Sequence, residues 1–228
     1  MRQAADDTEE RERRAAIIQA CLEMNRLGLN QGTSGNISLR WQDGLLITPS
    51  GLPYERMQPE DVVFLDREGQ PHGRYKPSSE WRFHRDILQA RPDTGAVVHV
   101  HSTYATILAI LGREIPAIHY MIAAAGGPNI RCAPYATFGT EGLSHNALQA
   151  LEGRSACLLA NHGMIAVGAS LEKALWLAVE VETLACQYHG CLQVGEPVIL
   201  SDEEIARVVE KFRSYGPEAQ KGNSQESA

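Results

Sequence analysis

A short apolar run that leads into two histidines constrains the fold of this chain more than any other segment. Residues 96–98 are Ala-Val-Val, and His99 and His101 follow with one valine between them. Such a run predicts a β-strand, and side chains two residues apart on a strand leave the same face of the sheet. The two imidazoles should therefore lie side by side, about 6.5–7 Å apart at Cα, so that both can bind one metal ion.

A third histidine and a carboxylate extend this prediction. His162 follows a second apolar run at residues 158–160 and precedes Gly163, and Glu80 lies in the segment Lys-Pro-Ser-Ser-Glu-Trp at residues 76–81. Three histidines and a nearby glutamate suit a catalytic metal site, because they leave open positions for substrate oxygens. A bare His-x-His pattern is also compatible with one imidazole packing in the core and the other capping a loop.

Composition and charge narrow the class of protein. The 228 residues fit one sizeable domain, and a hydrophobic content of 43% is enough for a packed core. The net charge of −7, without a block of lysine or arginine, argues against nucleic-acid binding, so an anionic substrate must be held by local donors. The five cysteines form no C-x-x-C pair, and no apolar segment has the length of a membrane span. A reduced, cytoplasmic compartment without membrane attachment is therefore expected.

The hydrophobic periodicity predicts a layered fold of helices and strands. Helices are expected from a capped start at residues 7–10 to Gly28, from Ser78 to a break at residues 91–93, and over residues 104–111, 142–151, 171–188 and 201–216. Strands are expected at residues 37–41 and 45–48, joined by a turn at Asp43-Gly44, and at residues 61–66, 96–101, 156–160 and 164–167. Because hairpins and helices mix without regular alternation, we expect one domain of α/β fold class, α+β type, with a largely antiparallel sheet.

A glycine-dense loop, Gly32-Thr33-Ser34-Gly35-Asn36, precedes the first expected strand. It matches neither the G-x-G-x-x-G pattern nor the lysine-containing phosphate loop of nucleotide-binding proteins. Two interpretations stay open: a tight turn between helix and strand, or a nest of backbone N–H groups for a small anion.

Five sequence blocks in order resemble the class II aldolase/epimerase family, whose members act on sugar phosphates. The blocks are Gly-Thr-Ser-Gly-Asn-Ile-Ser at residues 32–38, Ile-Thr-Pro-Ser-Gly at 47–51, Lys-Pro-Ser-Ser-Glu at 76–80, His-Val-His at 99–101 and Asn-His-Gly at 161–163. The similarity runs from about residue 15 to residue 216 and is closest to the aldolases of L-fuculose 1-phosphate. It implies a three-layer α/β/α fold, with an aldolase/epimerase-like domain over residues 1–216 and a flexible tail over residues 217–228.

The resemblance also implies a role for each matching residue. His99, His101 and His162 would bind one Zn²⁺ per subunit, or another divalent metal in its place. Glu80 would be a further ligand in the absence of substrate and the acid/base at the metal. Tyr120 of a neighbouring subunit would be the second acid/base, since the family implies a homotetramer with active sites at subunit interfaces.

Two further groups of residues would hold the ends of the substrate. The phosphate-binding residues would be Asn36, Ser50, Gly51, Ser78 and Ser79. The residues bordering the aldehyde end would be Phe138, Phe212 and Tyr215. The other five histidines are expected on surfaces or helix faces, namely His72, His84, His119, His145 and His189.

The activity implied is zinc-dependent retro-aldol cleavage of a ketose 1-phosphate to dihydroxyacetone phosphate and a short aldehyde. The substrate would be L-fuculose 1-phosphate or a 5-deoxy- or 5-methylthio-pentulose 1-phosphate, and the sequence does not decide among them. A sugar-phosphate 4-epimerase, a dehydratase and a non-catalytic binding module like the adducin head remain alternatives. Epimerases of the family typically carry aspartate at the position of Glu80 and an acid near Tyr120, and a binding module is expected to lack the histidines. The residues present therefore favour an aldolase.

Overall fold

The computed structural model describes residues 2–213, and the side chains of residues 7–212. Its helices are α1 (Arg2–Arg26), α2 (Trp81–Ala90), α3 (Thr103–Ile110), α4 (Glu141–Ala150), α5 (Leu171–Val194) and α6 (Asp202–Arg213). Its strands are β1 (Asn36–Trp41), β2 (Gly44–Ile47), β3 (Val63–Leu65), β4 (Pro71–His72), β5 (Ala96–Val100), β6 (Ile115–Pro116), β7 (Asn129–Ala133), β8 (Ala156–Leu159) and β9 (Gly163–Gly168). Three short 3₁₀ helices, including Tyr120–Ala125, lie between them.

One nine-stranded sheet forms the middle layer, in the order β4-β3-β2-β1-β5-β9-β8-β7-β6. Its neighbouring strands are antiparallel, except that β7 and β8 run parallel. The central strand is β5, where His99 lies opposite Asn36 of β1 on one side and Ile165 of β9 on the other. The predicted, largely antiparallel sheet is confirmed. The His-x-His segment lies at the C-terminal end of its central strand, β5.

Helices cover both faces of the sheet. On one face, Val98 of β5 belongs to a buried apolar cluster with residues of α1, α3 and α5. On the other face, Val97 of β5 belongs to a second cluster with Phe83 and Ile87 of α2 and with residues of α4. Because successive strand residues point to opposite faces, His99 shares the face of Val97 and lies beneath α2. The predicted three-layer α/β/α arrangement is confirmed.

The first hairpin forms as predicted, but its turn is shifted by one residue. Trp41 pairs with Gly44, so the two loop residues are Gln42 and Asp43 rather than Asp43-Gly44. Gln42 takes up the positive φ, at 50°. Gly44 instead serves packing, because a Cβ at this position would lie 2.0 Å from the carbonyl oxygen of Leu65 on β3.

Two helix starts differ from the prediction by three residues or more. α1 begins at Arg2 rather than at residues 7–10. Two ion pairs between residues four apart, Glu9–Arg13 and Glu10–Arg14, favour helix over residues 9–14. α2 begins at Trp81, after a turn in which the Trp81 N–H bonds to the Ser78 carbonyl, so Ser78 precedes the helix.

The remaining differences concern short strands and helix ends. β4, β6 and β7 were not predicted, and α5 extends to Val194, beyond residue 188. None of the helices over residues 2–213 has a stretch long and apolar enough to cross a membrane. The structure follows α6 as far as Arg213, so the predicted helix end at Gly216 and the predicted tail at residues 217–228 lie outside the described residues.

Candidate metal centre

The two histidines at the end of β5 lie side by side, as the strand geometry requires. Their Nε2 atoms are 3.0 Å apart. His99 is fully buried, and its Nδ1 lies 2.9 Å from the carbonyl oxygen of Met164 on the neighbouring strand. A carbonyl only accepts, so Nδ1 carries the proton and Nε2 presents its lone pair to the site.

The turn between β8 and β9 brings His162 to the same point. Asn161 adopts a left-handed conformation with φ 57°, which asparagine tolerates better than most residues. Gly163 follows, and a Cβ there would lie 2.5 Å from the Val100 carbonyl oxygen and 2.8 Å from the His101 ring. The absence of a side chain at Gly163 therefore lets the turn approach β5 closely enough for the histidines to meet.

Glu80 completes a four-residue cluster from the residue before α2. Its Oε2 is 3.1 Å from His99 Nε2, and its Oε1 is 3.2 Å from His162 Nε2. The three imidazole centroids are 4.9 Å apart in each pair, and the four ligand atoms all lie within 4.8 Å of one another. The four side chains thus surround one common point.

The geometry and charge of this cluster fit a zinc ion. Ligand atoms at 2.0–2.1 Å from a tetrahedral zinc lie about 3.3 Å apart, close to the separations found here. Burial lowers the pKa of His101 to about 4, with a further contribution from His99 and His162, so His101 is neutral near pH 7. Burial alone would raise the pKa of Glu80, but His99 and His162 outweigh it and hold that pKa well below its usual range. Neutral imidazoles and a carboxylate are the forms that bind metal.

The cluster opens into a cleft of about 320 Å³ at the surface. Glu80, His101 and His162 line it together with Ser79 and Phe138. Phe138 is 63% exposed, and its loop lies against Ser79 because Gly139 has no Cβ to meet the Ser79 carbonyl. The sequence did not single out two other lining residues, Ser34 in the glycine-dense loop and Tyr135 before Phe138.

Four of the five residues expected to hold a phosphate lie on two paired segments. The Ser50 N–H bonds to the Lys76 carbonyl at 3.0 Å, and the Ser78 N–H bonds to the Thr48 carbonyl at 2.9 Å. In this antiparallel bridge Pro49 lies opposite Pro77, so Ser50 faces Lys76 and Ser78 faces Thr48. Ser50, Gly51 and Ser79 are exposed, whereas Ser78 is buried and its Oγ accepts a bond from the Glu80 N–H at 3.3 Å.

The fifth expected phosphate ligand, Asn36, has a different environment. It is 3% exposed, and its Nδ2 donates to Glu80 Oε2 at 3.0 Å. Its Oδ1 lies 2.5 Å from Nε2 of His84, a fully buried residue of α2 that was expected on a surface or helix face. The sequence did carry a signal for His84: it stands four residues after Glu80, a spacing that places both on one side of a helix.

Tyr120 and Phe212 line a second cleft, of about 900 Å³, with Met121 and Trp176. The ring centroids of Tyr120 and Phe212 are 6.5 Å apart, and Tyr120 is 50% exposed. The structure therefore places Phe138 at the histidine cleft and Phe212 at another one. Tyr215, the third residue expected at the aldehyde end, lies outside the described residues.

Comparison with known proteins identifies relatives along most of the chain. Residues 15–189 match the family described as Class II Aldolase and Adducin N-terminal domain. A 5-methylthioribulose-1-phosphate/5-deoxyribulose-1-phosphate aldolase of Rhodospirillum rubrum is 60% identical over 207 residues, which cover 91% of this chain and 94% of that protein. An L-fuculose phosphate aldolase of Escherichia coli is 60% identical over 201 residues, covering 88% and 94%. A solved structure of an L-fuculose 1-phosphate aldolase superposes with a TM-score of 0.86 at 42% identity, covering 88% of this chain and 95% of that one.

Proposed function

Since the chain belongs to the class II aldolase and adducin family, we propose that it cleaves a ketose 1-phosphate to dihydroxyacetone phosphate and a short aldehyde in a zinc-dependent retro-aldol reaction. The observation that supports this best is the convergence of three imidazoles and the Glu80 carboxylate at the base of one cleft. An aldolase is also what the names of its relatives describe.

We propose that His99, His101 and His162 hold the metal. Zinc bound by three neutral imidazoles supplies Lewis-acid stabilisation for the charge that develops on the ketose oxygens as C3–C4 breaks. The electron pair of that bond passes to C3. Glu80, beside the histidines, is a carboxylate before the reaction, so it would take up one proton from water and pass that proton to C3. The C4 hydroxyl loses a proton in the same reaction, and Tyr120 is our candidate to relay it: the phenol oxygen would take the C4 proton while the phenol gives its own proton to water.

The two ends of the substrate would meet different surfaces. We propose that Ser50, Gly51, Ser78 and Ser79 contact the phosphate. Ser79 lines the histidine cleft, Ser78 lies in the turn that precedes α2, and Ser50 and Gly51 follow Pro49, which is bridged to Pro77. Asn36 would belong to this pocket through its position next to Glu80. The aldehyde end would be bordered by Phe138 of the same subunit and by Phe212 and Tyr215 of a neighbour.

The substrate can be identified with one panel of ketose 1-phosphates. We expect release of dihydroxyacetone phosphate from L-fuculose 1-phosphate, 5-deoxyribulose 1-phosphate or 5-methylthioribulose 1-phosphate, since relatives of equal identity are named for each class. The measurement is kcat/KM for each compound in a coupled assay of that product. Release from none of them, together with inversion at C4 of a pentulose 5-phosphate, would instead identify an epimerase.

We also propose a homotetramer with active sites shared between subunits. The observation in its favour is that Tyr120 lines a cleft other than the one at the histidines and is half exposed there, beside Trp176, which is 50% exposed. Large aromatic side chains exposed together are typical of a surface that another subunit covers. The unpaired thiols of the five cysteines agree with a cytoplasmic enzyme.

Shared active sites predict complementation between two inactive variants. Chains carrying Glu80→Gln and chains carrying Tyr120→Phe, produced together, should form mixed oligomers in which one subunit's Glu80 meets the other's Tyr120. Random mixing in a closed ring restores about a quarter of the sites, so we expect about a quarter of wild-type activity. The control is each variant produced alone. Activity no greater than the sum of the two variants would place Tyr120 outside the neighbour's site.

A further inference from the structure

Four buried polar side chains are linked by hydrogen bonds behind the metal cluster, between the sheet and α2, and are called the polar chain below. Ser38 Oγ lies 2.8 Å from His84 Nδ1, His84 Nε2 lies 2.5 Å from Asn36 Oδ1, and Asn36 Nδ2 lies 3.0 Å from Glu80 Oε2. Ser38 and His84 are fully buried, and Asn36 and Glu80 are at most 5% exposed. Each buried polar group in this chain therefore depends on its neighbours for hydrogen bonds.

The position of the Asn36 amide determines the direction of the other bonds in the polar chain. Its Nδ2 donates to Glu80 Oε2, so its Oδ1 faces His84. An amide oxygen only accepts, so the proton of a neutral His84 lies on Nε2. Nδ1 is then free to accept the hydroxyl proton of Ser38. Burial lowers the pKa of His84 to about 3, so the neutral ring is the form present at pH 7.

We propose that His84 is a positioning residue for Glu80: it holds the Asn36 amide so that Glu80 Oε2 is fixed while Oε1 stays beside His162. This inference rests on the proposed role of Glu80 in proton transfer. A glutamate side chain has three rotatable bonds, and a proton donor works only within hydrogen-bond reach of the reacting carbon. Residues that orient catalytic groups in this way act without touching substrate.

The alternative is that His84 only fills the core beside Phe83, whose ring stacks on it at 4.6 Å. Two amide substitutions distinguish these roles. The amide of His84→Gln reaches the place of Nε2 and can donate to Asn36. The amide of His84→Asn reaches only the place of Nδ1, so it keeps the contact to Ser38 and leaves Asn36 Oδ1 without its donor.

We expect His84→Asn to lower kcat by about 10- to 100-fold, the usual effect of losing such a supporting partner, with KM within about twofold of wild type. His84→Gln should recover most of this loss. His145→Asn, at an exposed position of α4, is the matched control and should match wild type. Thermal unfolding of each variant shows whether it is folded. Equal kcat in the two His84 variants would reduce His84 to a packing residue. A raised KM with unchanged kcat would show that the Asn36 amide serves substrate binding alone and does not position Glu80, and either result overturns the proposal.

A measurement on the wild-type protein tests the same polar chain without an activity assay and without a substitution. In the metal-free protein labelled with ¹⁵N-histidine, the ring of His84 should carry its proton on Nε2 and none on Nδ1. A proton on Nδ1 would reverse the bonds and overturn the proposal. Because this result does not depend on any substrate, it stays decisive if no ketose 1-phosphate is cleaved and the proposed function fails.

Discussion

Exhaustive removal of metal should abolish cleavage, and the purified protein should carry about one Zn²⁺ per chain. Zinc is the strong electrophile expected at the cluster for the negative charge that develops on the substrate when C3–C4 breaks. A Lewis acid contributes several kcal/mol to stabilising such charge. Its loss corresponds to a fall of roughly 10³-fold or more in kcat/KM. The measurements are elemental analysis and release of dihydroxyacetone phosphate before chelation, after chelation and after zinc is returned.

A pair of histidine variants ties this result to the cluster. His162→Ala removes one of the three imidazoles and should lower both zinc content and activity. His145→Ala changes an exposed histidine of α4 and should alter neither. Full activity in protein with no detectable metal would rule out the zinc-dependent reaction.

Replacing Glu80 with glutamine should lower kcat by about 10²- to 10⁴-fold, the range typical for loss of a general acid or base. Glutamine has nearly the same shape and its oxygen can still accept the bond from Asn36, but it cannot carry the proton that C3 needs. Zinc should be retained, because His99, His101 and His162 are unchanged. The measurements are single-turnover rates and zinc content on the same preparation.

Glu141→Gln is the matched control for this variant. Glu141 lies in the first turn of α4, where a negative charge favours the helix through its dipole, and it has no place in the cleft. If Glu80 served only the start of α2, both substitutions would change stability by a few tenths of a kcal/mol and leave turnover as in wild type. Wild-type turnover in Glu80→Gln would therefore contradict its catalytic role.

The sequence predicted best the features that depend on local periodicity. The alternation at residues 37–41 predicted β1, and the i, i+2 spacing of His99 and His101 predicted that their rings share a face, as their Nε2 separation of 3.0 Å confirms. It failed for β7, where Arg131 and Cys132 interrupt any alternation and the parallel partner β8 lies more than twenty residues further along the chain. Such a strand is stabilised by distant pairing rather than by its own pattern.

Contacts that depend on strand register could not be predicted from the sequence. Asn36 meets Glu80 and His84 only because β1 pairs with β5 so that Asn36 lies opposite His99. No local pattern encodes that register, so Asn36 was assigned by resemblance alone. The roles of Ser50, Gly51, Ser78 and Ser79 toward phosphate, and of Phe138, Phe212 and Tyr215 toward aldehyde, remain predictions.

The polar chain behind Glu80 also bears on how the sheet selects its pairing during folding. In β1, Asn36 and Ser38 face α2, while Ile37 and Leu39 face the apolar cluster with α1. A slip of one residue between β1 and β5 would turn every side chain of β1 to the opposite face. Asn36 and Ser38 would then be buried among apolar groups without partners, and His84 would face leucine and isoleucine. Misaligned β1–β5 pairings are thus penalised by the same hydrogen bonds that support Glu80, which couples correct strand alignment to a working active site.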